Sequence, residues 1–466
     1  MDDDTPNKKK YNGYENVLLF VNKKIITLCD DEVKRNNVIL RGIVEQVIAA
    51  LKKNSELFRT IYNELFYGGS FYDGLKVGKP EEFDLDLLLC LPSSIQATLI
   101  PVPEVPGFVK CMVNDSKGIS EIVDDTSSCL TTTKVLSWME GLITKAMDEF
   151  EQSGTQHKIL VNNETYLTHV SKSGPAFTLK INGNINSKPI QLDVDLVPCF
   201  VFDDSKWPSG NFEKNTTKEK KFFIVPKQPK INSKNMKQYW RMSFQKQERL
   251  IMSGNKNVKP AVKLIKKLRD KFQQNMISSY FIKTMFLWEV KKRPKPFWEC
   301  SLSFVFVEML QVYYDHLQRG EIPYYWNKKN NLIANISPIT LSNMANRIKG
   351  YIDTINKNVN NPICIAKEYL NDEDIEELRE EFQLPNKCKK NLKLNTSDDS
   401  SLQSLNGSSS NLEEIASAMK LMSKEISDLR SENGIMRVAI VSMEAKLKDI
   451  EDVNRLLLKY LQQKCS

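Results

Sequence analysis

Histidine is nearly missing from this chain: there are three in 466 residues, at His157, His169 and His316. The nine cysteines are scattered, and no two stand in Cys-x-x-Cys spacing. A zinc ribbon or finger needs about four clustered Cys and His ligands, so neither organises this fold. Scattered cysteines also make a poor disulfide framework and read as reduced, mostly structural thiols of the cytosol or nucleus. A cytoplasmic setting is therefore expected. Long apolar runs are missing as well. No segment approaches about eighteen uninterrupted apolar residues, the length a membrane helix needs. The opening stretch MDDDTPNKKKYNGYENVLLF is acidic and polar where a secretory leader has a basic start and an apolar run. A soluble protein with no membrane partner is the expectation.

What is present suffices for sizeable cores: 41% of residues are hydrophobic, enough for two or three domains at this length. Net charge is only +8, but it is unevenly placed. Between Lys214 and Lys271 eighteen Lys and Arg stand against three acids, Glu219, Glu248 and Asp270. Such a local surplus suggests a polyanionic partner, although a lysine-rich chain can also carry charge runs that merely solvate helices.

Along the chain the periodicity changes several times. From about residue 14 to 66 apolar positions such as Leu40, Ile43, Val47, Ile48 and Leu51 recur at three- and four-residue spacing, which predicts a helical spine over residues 1–66. Residues 67–213 are strand-rich, with runs such as EFDLDLLLCLP, FTLKIN and IQLDVDLVPCFVF between polar and Gly/Pro loops. Residues 214–385 return to helical patterns, for example AVKLIKKLRDKF and SLSFVFVEMLQVYYDHLQ. The fold class is thus α+β: a spine, a mixed-sheet core and a mainly helical second lobe. Residues 386–410 are Ser/Asn-rich and lack aromatics, the composition of a flexible linker. From Leu412 apolar residues follow a heptad register for about seven repeats, interrupted only by Asn433 and Asn454, which predicts a coiled coil over 411–466.

The chemistry gathers in YGGSFYDGLKVGKPEEFDLDLLLC, Tyr67 to Cys90. In a strand, Glu82, Asp84 and Asp86 share one face while Phe83, Leu85 and Leu87 share the other. A row of like charges is either a solvated edge or a seat for a hard cation such as Mg²⁺. A second strand repeats the design, with Asp193 and Asp195 on one face of IQLDVDLVPCF. Two such strands offer three carboxylates able to hold two Mg²⁺ ions about 3.5–4 Å apart for in-line phosphoryl transfer. The preceding Gly-Gly-Ser allows close backbone approach to phosphate, with N–H groups and the Ser70 hydroxyl as donors.

G-S-x-x-x-G, then E-F-D-L-D, then V-D-L-V-P resembles the nucleotidyltransferase core of the cyclic GMP-AMP synthase-like receptors of the Mab-21 superfamily. The segments YWRMSFQKQE, VKLIKKLRDKF and ISSYFIKTMF are similar to the motifs of that family's second lobe. The resemblance covers roughly residues 15 to 345. It implies a bilobal nucleotidyltransferase in which Glu82, Asp84 and Asp195 bind Mg²⁺ or Mn²⁺, and Asp195 helps deprotonate the attacking ribose hydroxyl. Gly69 and Ser70 would hold triphosphate, Arg241 a base or phosphate, Glu248 a base edge and Lys266 a phosphate. Tyr280 would stack on a base with Ser279 and Lys283 beside it. Asp86 and Asp193 lie outside the matched positions and are expected to support the site by hydrogen bonding.

Between the W-R-x-S-F segment and the Lys-bearing helix lies only RLIMSGNKNVKPA, with no zinc ligand. The chain thus resembles the insect-type receptors without a zinc thumb, which implies double-stranded RNA as activator and ATP and GTP as substrates of a cyclic dinucleotide synthesis in innate immunity. Backbone contacts from the basic stretch and from Lys34, Arg35, Arg41, Lys52, Lys53 and Arg59 of the spine would suit A-form RNA. Alternatives are a synthase of linear oligonucleotides and a catalytically silent Mab-21-like scaffold or developmental protein. The coil, which lies beyond the resemblance, is expected to make a parallel homodimer.

Overall fold

A computed structural model describes residues 9–185, 188–229 and 235–383; the expected linker and coiled coil lie outside the described residues. Helices α1 (Glu15–Val21), α2 (Asp30–Asn54) and α3 (Glu56–Ile61) form the spine. Asp30, Asp31 and Glu32 in the first turn of α2 and Lys52 and Lys53 in its last match the helix dipole at both ends. Its buried stripe of Leu40, Ile43, Val47 and Leu51 faces the core. The Ser55 hydroxyl accepts from the Phe58 N–H at 3.1 Å and caps α3.

The spine ends earlier than its periodicity suggests. Tyr62–Gly68, expected to be helical through Phe66, is strand β1. Phe66 points into a small cluster with Leu88, Cys199 and Phe223, and pairing with a neighbouring strand overrides the local helical pattern. A short helix α4 (Gly69–Tyr72) follows, and then β2 (Glu82–Leu89). Strands β3 (Thr98–Pro101), β4 (Phe108–Met112), β5 (Val123–Asp124) and β6 (Cys129–Leu130) lead to helix α5 (Thr132–Met147). A meander of β7 (Glu151–Ser153), β8 (Gln156–Val161), β9 (Glu164–Ser173), β10 (Ala176–Ile185) and β11 (Lys188–Phe202) comes next. Gly42 lets α2 press onto this meander, for a Cβ there would lie 2.5 Å from Val161 Cγ1.

Strand β11 organises the sheet. Its alternation buries Ile190, Leu192, Val194 and Leu196 while Asp193 and Asp195 face the other way. It pairs antiparallel with β10 and parallel with β2, in a register that sets Asp195 beside Asp84 and Asp193 beside Glu82. Beyond Phe200 it pairs with β12 (Phe222–Val225), which passes the sheet on to β13 (Tyr239–Ser243) and β4. The stretch from Lys214, expected to be mainly helical, therefore begins with two sheet strands. All six residues Phe222–Val225, Trp240 and Met242 are buried, and a four- or five-residue apolar run inside a basic stretch is too short to display a period.

The second lobe comprises α6 (Gln245–Met252), α7 (Val258–Lys271), α8 (Ser279–Lys292), α9 (Leu302–Arg319) and α10 (Pro338–Lys357), with a hairpin of β14 (Pro323–Tyr324) and β15 (Asn327–Asn331) between the last two. The spine docks onto it: the Glu15 carboxylate accepts from the Leu302 and Ser303 N–H groups at 2.9 and 2.7 Å, capping α9. Among the described residues no helix is long and apolar enough to cross a membrane.

Candidate active site

A cavity of about 620 Å³ lies between the sheet and the second lobe. Its wall contains every residue expected to bind substrate or metal except Glu82: Gly69, Ser70, Asp84, Asp195 and Arg241 from the sheet side, and Glu248, Lys266, Ser279, Tyr280 and Lys283 from the second lobe. These residues span more than two hundred positions in sequence, and the fold brings them to one place.

On the sheet side Gly69 adopts φ +68°, and a Cβ built there would fall 1.7 Å from Asp84 Oδ2. The loop backbone lies directly on the carboxylate, and only glycine permits it. Ser70 follows in the first turn of α4, half-buried at the cavity edge. Asp195 accepts from the Thr178 hydroxyl at 2.5 Å. Burial, and then the charge of Asp195, push the Asp84 carboxyl above its usual range. Two carboxylates held against each other under a glycine loop suit a hard divalent cation, which would relieve that repulsion and keep sites for phosphate.

Glu82 does not join them here. Its side chain is 74% exposed and pairs with Lys76, and among the described residues no three metal-binding side chains converge on one point. It stands two positions before Asp84 on the same strand face. Asp86, on the same strand, is buried, accepts from the Gln245 amide at 2.7 Å, and is pushed up to about 7 chiefly by burial. That neutralising environment suits a supporting residue rather than a cation ligand. Asp193 Oδ1 is buried with no hydrogen-bond partner among the described residues.

On the lobe side Lys266 is only 5% exposed and donates to the Leu75 carbonyl at 2.6 Å. Burial, aided by Arg269 and Lys76, lowers its pKa to about 8. Ser278 caps α8, and Ser279 accepts from Arg269 at 3.4 Å. The Tyr280 hydroxyl donates to Glu248 at 2.7 Å, and burial keeps it protonated. Glu248 departs from its expected role. It is 1% exposed, and its carboxylate already takes the Tyr280 hydroxyl, the Trp326 indole N–H at 3.0 Å and the Lys283 ammonium at 2.8 Å. A carboxylate so occupied orients Tyr280 and Lys283 and is not free for a base edge. Burial works against the Lys283 charge, but Glu248 and Asp73 outweigh it and hold its pKa above the usual lysine value.

Asp73 escaped the sequence reading, as did Gln245, Lys76 and Thr178. Asp73 bonds Arg249 at 2.9 Å and Lys283 at 2.7 Å, joining the Gly-Ser loop to α6 and α8. Gln245 receives the Gly69 N–H at 3.2 Å while donating to Asp86. The Asp-Gly pair at 73–74 could have drawn notice, and so could Lys76, only six residues before Glu82; Gln245 and Thr178 show their roles only across the fold.

Residues 71–254 match the Mab-21 protein nucleotidyltransferase domain, and residues 257–350 the Mab-21 protein HhH/H2TH-like domain. The chain is 40% identical over 378 residues to a cyclic GMP-AMP synthase-like receptor of Aethina tumida, covering 78% of this chain and 93% of that one. A cyclic GMP-AMP synthase-like receptor of Tribolium castaneum is 41% identical over 375 residues, 77% of this chain and 92% of its own length. One from Trichogramma pretiosum is 31% identical over 80% of this chain and 79% of its own. The chain belongs to the cyclic GMP-AMP synthase-like receptor family. It is a nucleotidyltransferase, and Lys266, Ser279, Tyr280 and Lys283 fall in the domain that completes the cavity of this synthase-like receptor. Gly69 and Ser70 stand just before the matched nucleotidyltransferase stretch. Between α6 and α7 this receptor-family member has only Ser253–Asn257, with neither Cys nor His.

Proposed function

We propose that this nucleotidyltransferase is a cytoplasmic sensor of double-stranded RNA that joins ATP and GTP into cyclic GMP-AMP, an innate immune and antiviral second messenger. The observation that carries the reading is the pairing of Asp84 with Asp195 on adjacent parallel strands beneath the Gly69 backbone, across one cavity from Lys266 and Tyr280. Gly69, Ser70 and Lys266 bind the triphosphate of the donor nucleotide. Tyr280, fixed by Glu248, presents its ring to a base, with Ser279 and Lys283 beside it, and Arg241 reaches a base or phosphate. Asp195 accepts the proton of the attacking ribose hydroxyl, held toward it by the Thr178 bond. Asp84 and Asp195, joined by Glu82 once it leaves Lys76, would hold a Mg²⁺ or Mn²⁺ ion, which when bound would supply positive charge to the reacting phosphate. RNA as activator is supported by the basic stretch and by exposed Lys34, Arg41, Lys53 and Arg59 on the spine.

The test is incubation of the protein with labelled ATP, GTP, CTP and UTP and Mg²⁺ or Mn²⁺, with duplex RNA, with duplex DNA and with neither. A phosphodiesterase-characterised cyclic product from ATP and GTP, formed only with RNA, is expected. Asp195→Asn should keep the melting temperature and lose at least about a hundredfold in product. Linear products would favour an oligonucleotide synthase, activation by DNA alone would remove the RNA reading, and wild-type turnover by Asp195→Asn would remove the site assignment.

A further inference from the structure

A second cavity, of about 460 Å³, opens on the second lobe away from the catalytic residues. The end of α8 supplies Trp288, Lys291 and Lys292, the end of α9 supplies His316 and Arg319, and the β14–β15 hairpin supplies Lys328. Four cations thus stand against a single acid in the wall, the exposed Glu321. Lys291 and Lys328 lie over the Trp288 ring at 5.4 and 5.0 Å from its centroid and share one carboxylate outside the wall, Glu213, at 2.6 and 3.1 Å. Lys292 shares Glu289 with Arg293, and Arg319 pairs with no acid among the described residues.

Cations at the ends of two helices could merely complement the helix dipoles. His316 requires more. It is 4% exposed, and its Nδ1 lies 2.6 Å from the Glu321 carbonyl, which can only accept, so Nδ1 carries the proton. Nε2 is then a bare acceptor, buried in the wall with no hydrogen-bond partner among the described residues. An unpartnered buried acceptor costs about 1–3 kcal/mol, which a ligand that brings it a hydrogen would recover. Burial, with Arg319 and Lys292 nearby, lowers the His316 pKa and favours that neutral form. The matching ligand carries negative charge for the cations and an O–H for the imidazole.

We propose that this cavity is a binding site for a phosphate group bearing or neighbouring a hydroxyl, either inorganic phosphate or a phosphorylated polyol. Monohydrogen phosphate satisfies both demands with one group, its oxygens facing Arg319 and Lys292 and its P–OH donating to Nε2. Sulfate has the charge but no proton to give at neutral pH, so the site discriminates against it. The site is separate from the triphosphate-binding residues of the catalytic cavity and does not depend on the product made there.

The test is NMR of the full chain labelled at histidine, read at three imidazoles, with His157→Gln and His169→Gln on strands β8 and β9 assigning the remaining signals to His316. Inorganic phosphate should move the His316 resonances saturably and leave the other two still, and sulfate at equal ionic strength should bind about tenfold more weakly. Arg319→Ala, at an exposed position, should weaken phosphate by about tenfold. Saturation by inositol 1-phosphate, which carries one phosphate beside free hydroxyls, at lower concentration than inorganic phosphate identifies the phosphorylated polyol as the source, and weaker saturation identifies the free ion. The proposal is overturned if neither probe moves His316, if phosphate, sulfate and chloride move it alike, if Arg319→Ala leaves the titration unchanged, or if duplex RNA alone moves it.

Discussion

At the scale of single residues Lys266 shows binding and stability in opposition. Desolvation holds its amine near a pKa of about 8, below the ordinary 10.5, so the folded chain binds fewer protons than the unfolded chain between those values. Stability contributed by this residue therefore rises with pH across that window, and below about 8 its burial costs about 3 kcal/mol. The bond to the Leu75 carbonyl returns about 1 kcal/mol. Lys266→Met is expected to raise stability by about 2 kcal/mol at pH 7, with the gain shrinking as pH approaches 10, and to abolish triphosphate binding. Thermal melts at both pH values check this; a pH-independent gain, or unaltered nucleotide affinity, contradicts it. The residue was legible only through the family resemblance, since a lysine among the many of this basic stretch reads locally as solvated; its burial on the apolar side of α7 shows only in the fold. Glu248 misled because nothing local foretells that Tyr280, Trp326 and Lys283 would converge on it.

At the scale of elements, the two acidic strands were readable because period-two alternation is written into EFDLDLLL and IQLDVDLVPCF whatever their partners. Their parallel register was not, since it depends on a long excursion from Leu89 to Lys188. Strand β1 was hidden because TIYNELFYG carries no alternation, and its burial pattern is set by β2 beside it. The Gly-Ser loop gains its position from another element altogether. Asp73, 5% exposed, is clamped by Arg249 of α6 and Lys283 of α8. Asp73→Ala removes a carboxylate from buried Lys283 and half-buried Arg249, although Lys283 keeps Glu248 and Arg249 the Tyr67 carbonyl. It should cost about 3 kcal/mol in chemical denaturation and speed hydrogen exchange at Gly69–Tyr72, while Asp195→Asn leaves both near wild type. Normal exchange in the loop of a destabilised Asp73→Ala protein would show that the clamp serves the lobe alone.

At the scale of the whole molecule, charge and heptads are expected to set two separable properties. The expected RNA contacts all lie before residue 386, in the spine and the basic stretch, whereas the heptads lie after it. With Leu412 at a, positions 419, 426, 440, 447 and 461 continue the a column as Met, Ile, Ile, Leu and Leu, and the two interruptions, Asn433 and Asn454, both fall at a. An asparagine at a pairs with its counterpart across a parallel two-stranded coil and disfavours higher oligomers, at a cost in stability. The full chain is therefore expected to sediment as a dimer at tens of micromolar, and a chain ending at Asn386 as a monomer. If about six phosphates are contacted by each copy, both forms should lose on the order of a thousandfold in intrinsic RNA affinity between about 50 and 200 mM salt. Only the dimer should gain an avidity advantage on RNA long enough for two sensors, because tethering raises the effective concentration of the second once the first has bound. A full-length monomer would overturn the homodimer, and a trimer or tetramer the role given to the two asparagines. Equal affinity of both forms for long RNA would mean that the coil serves another partner.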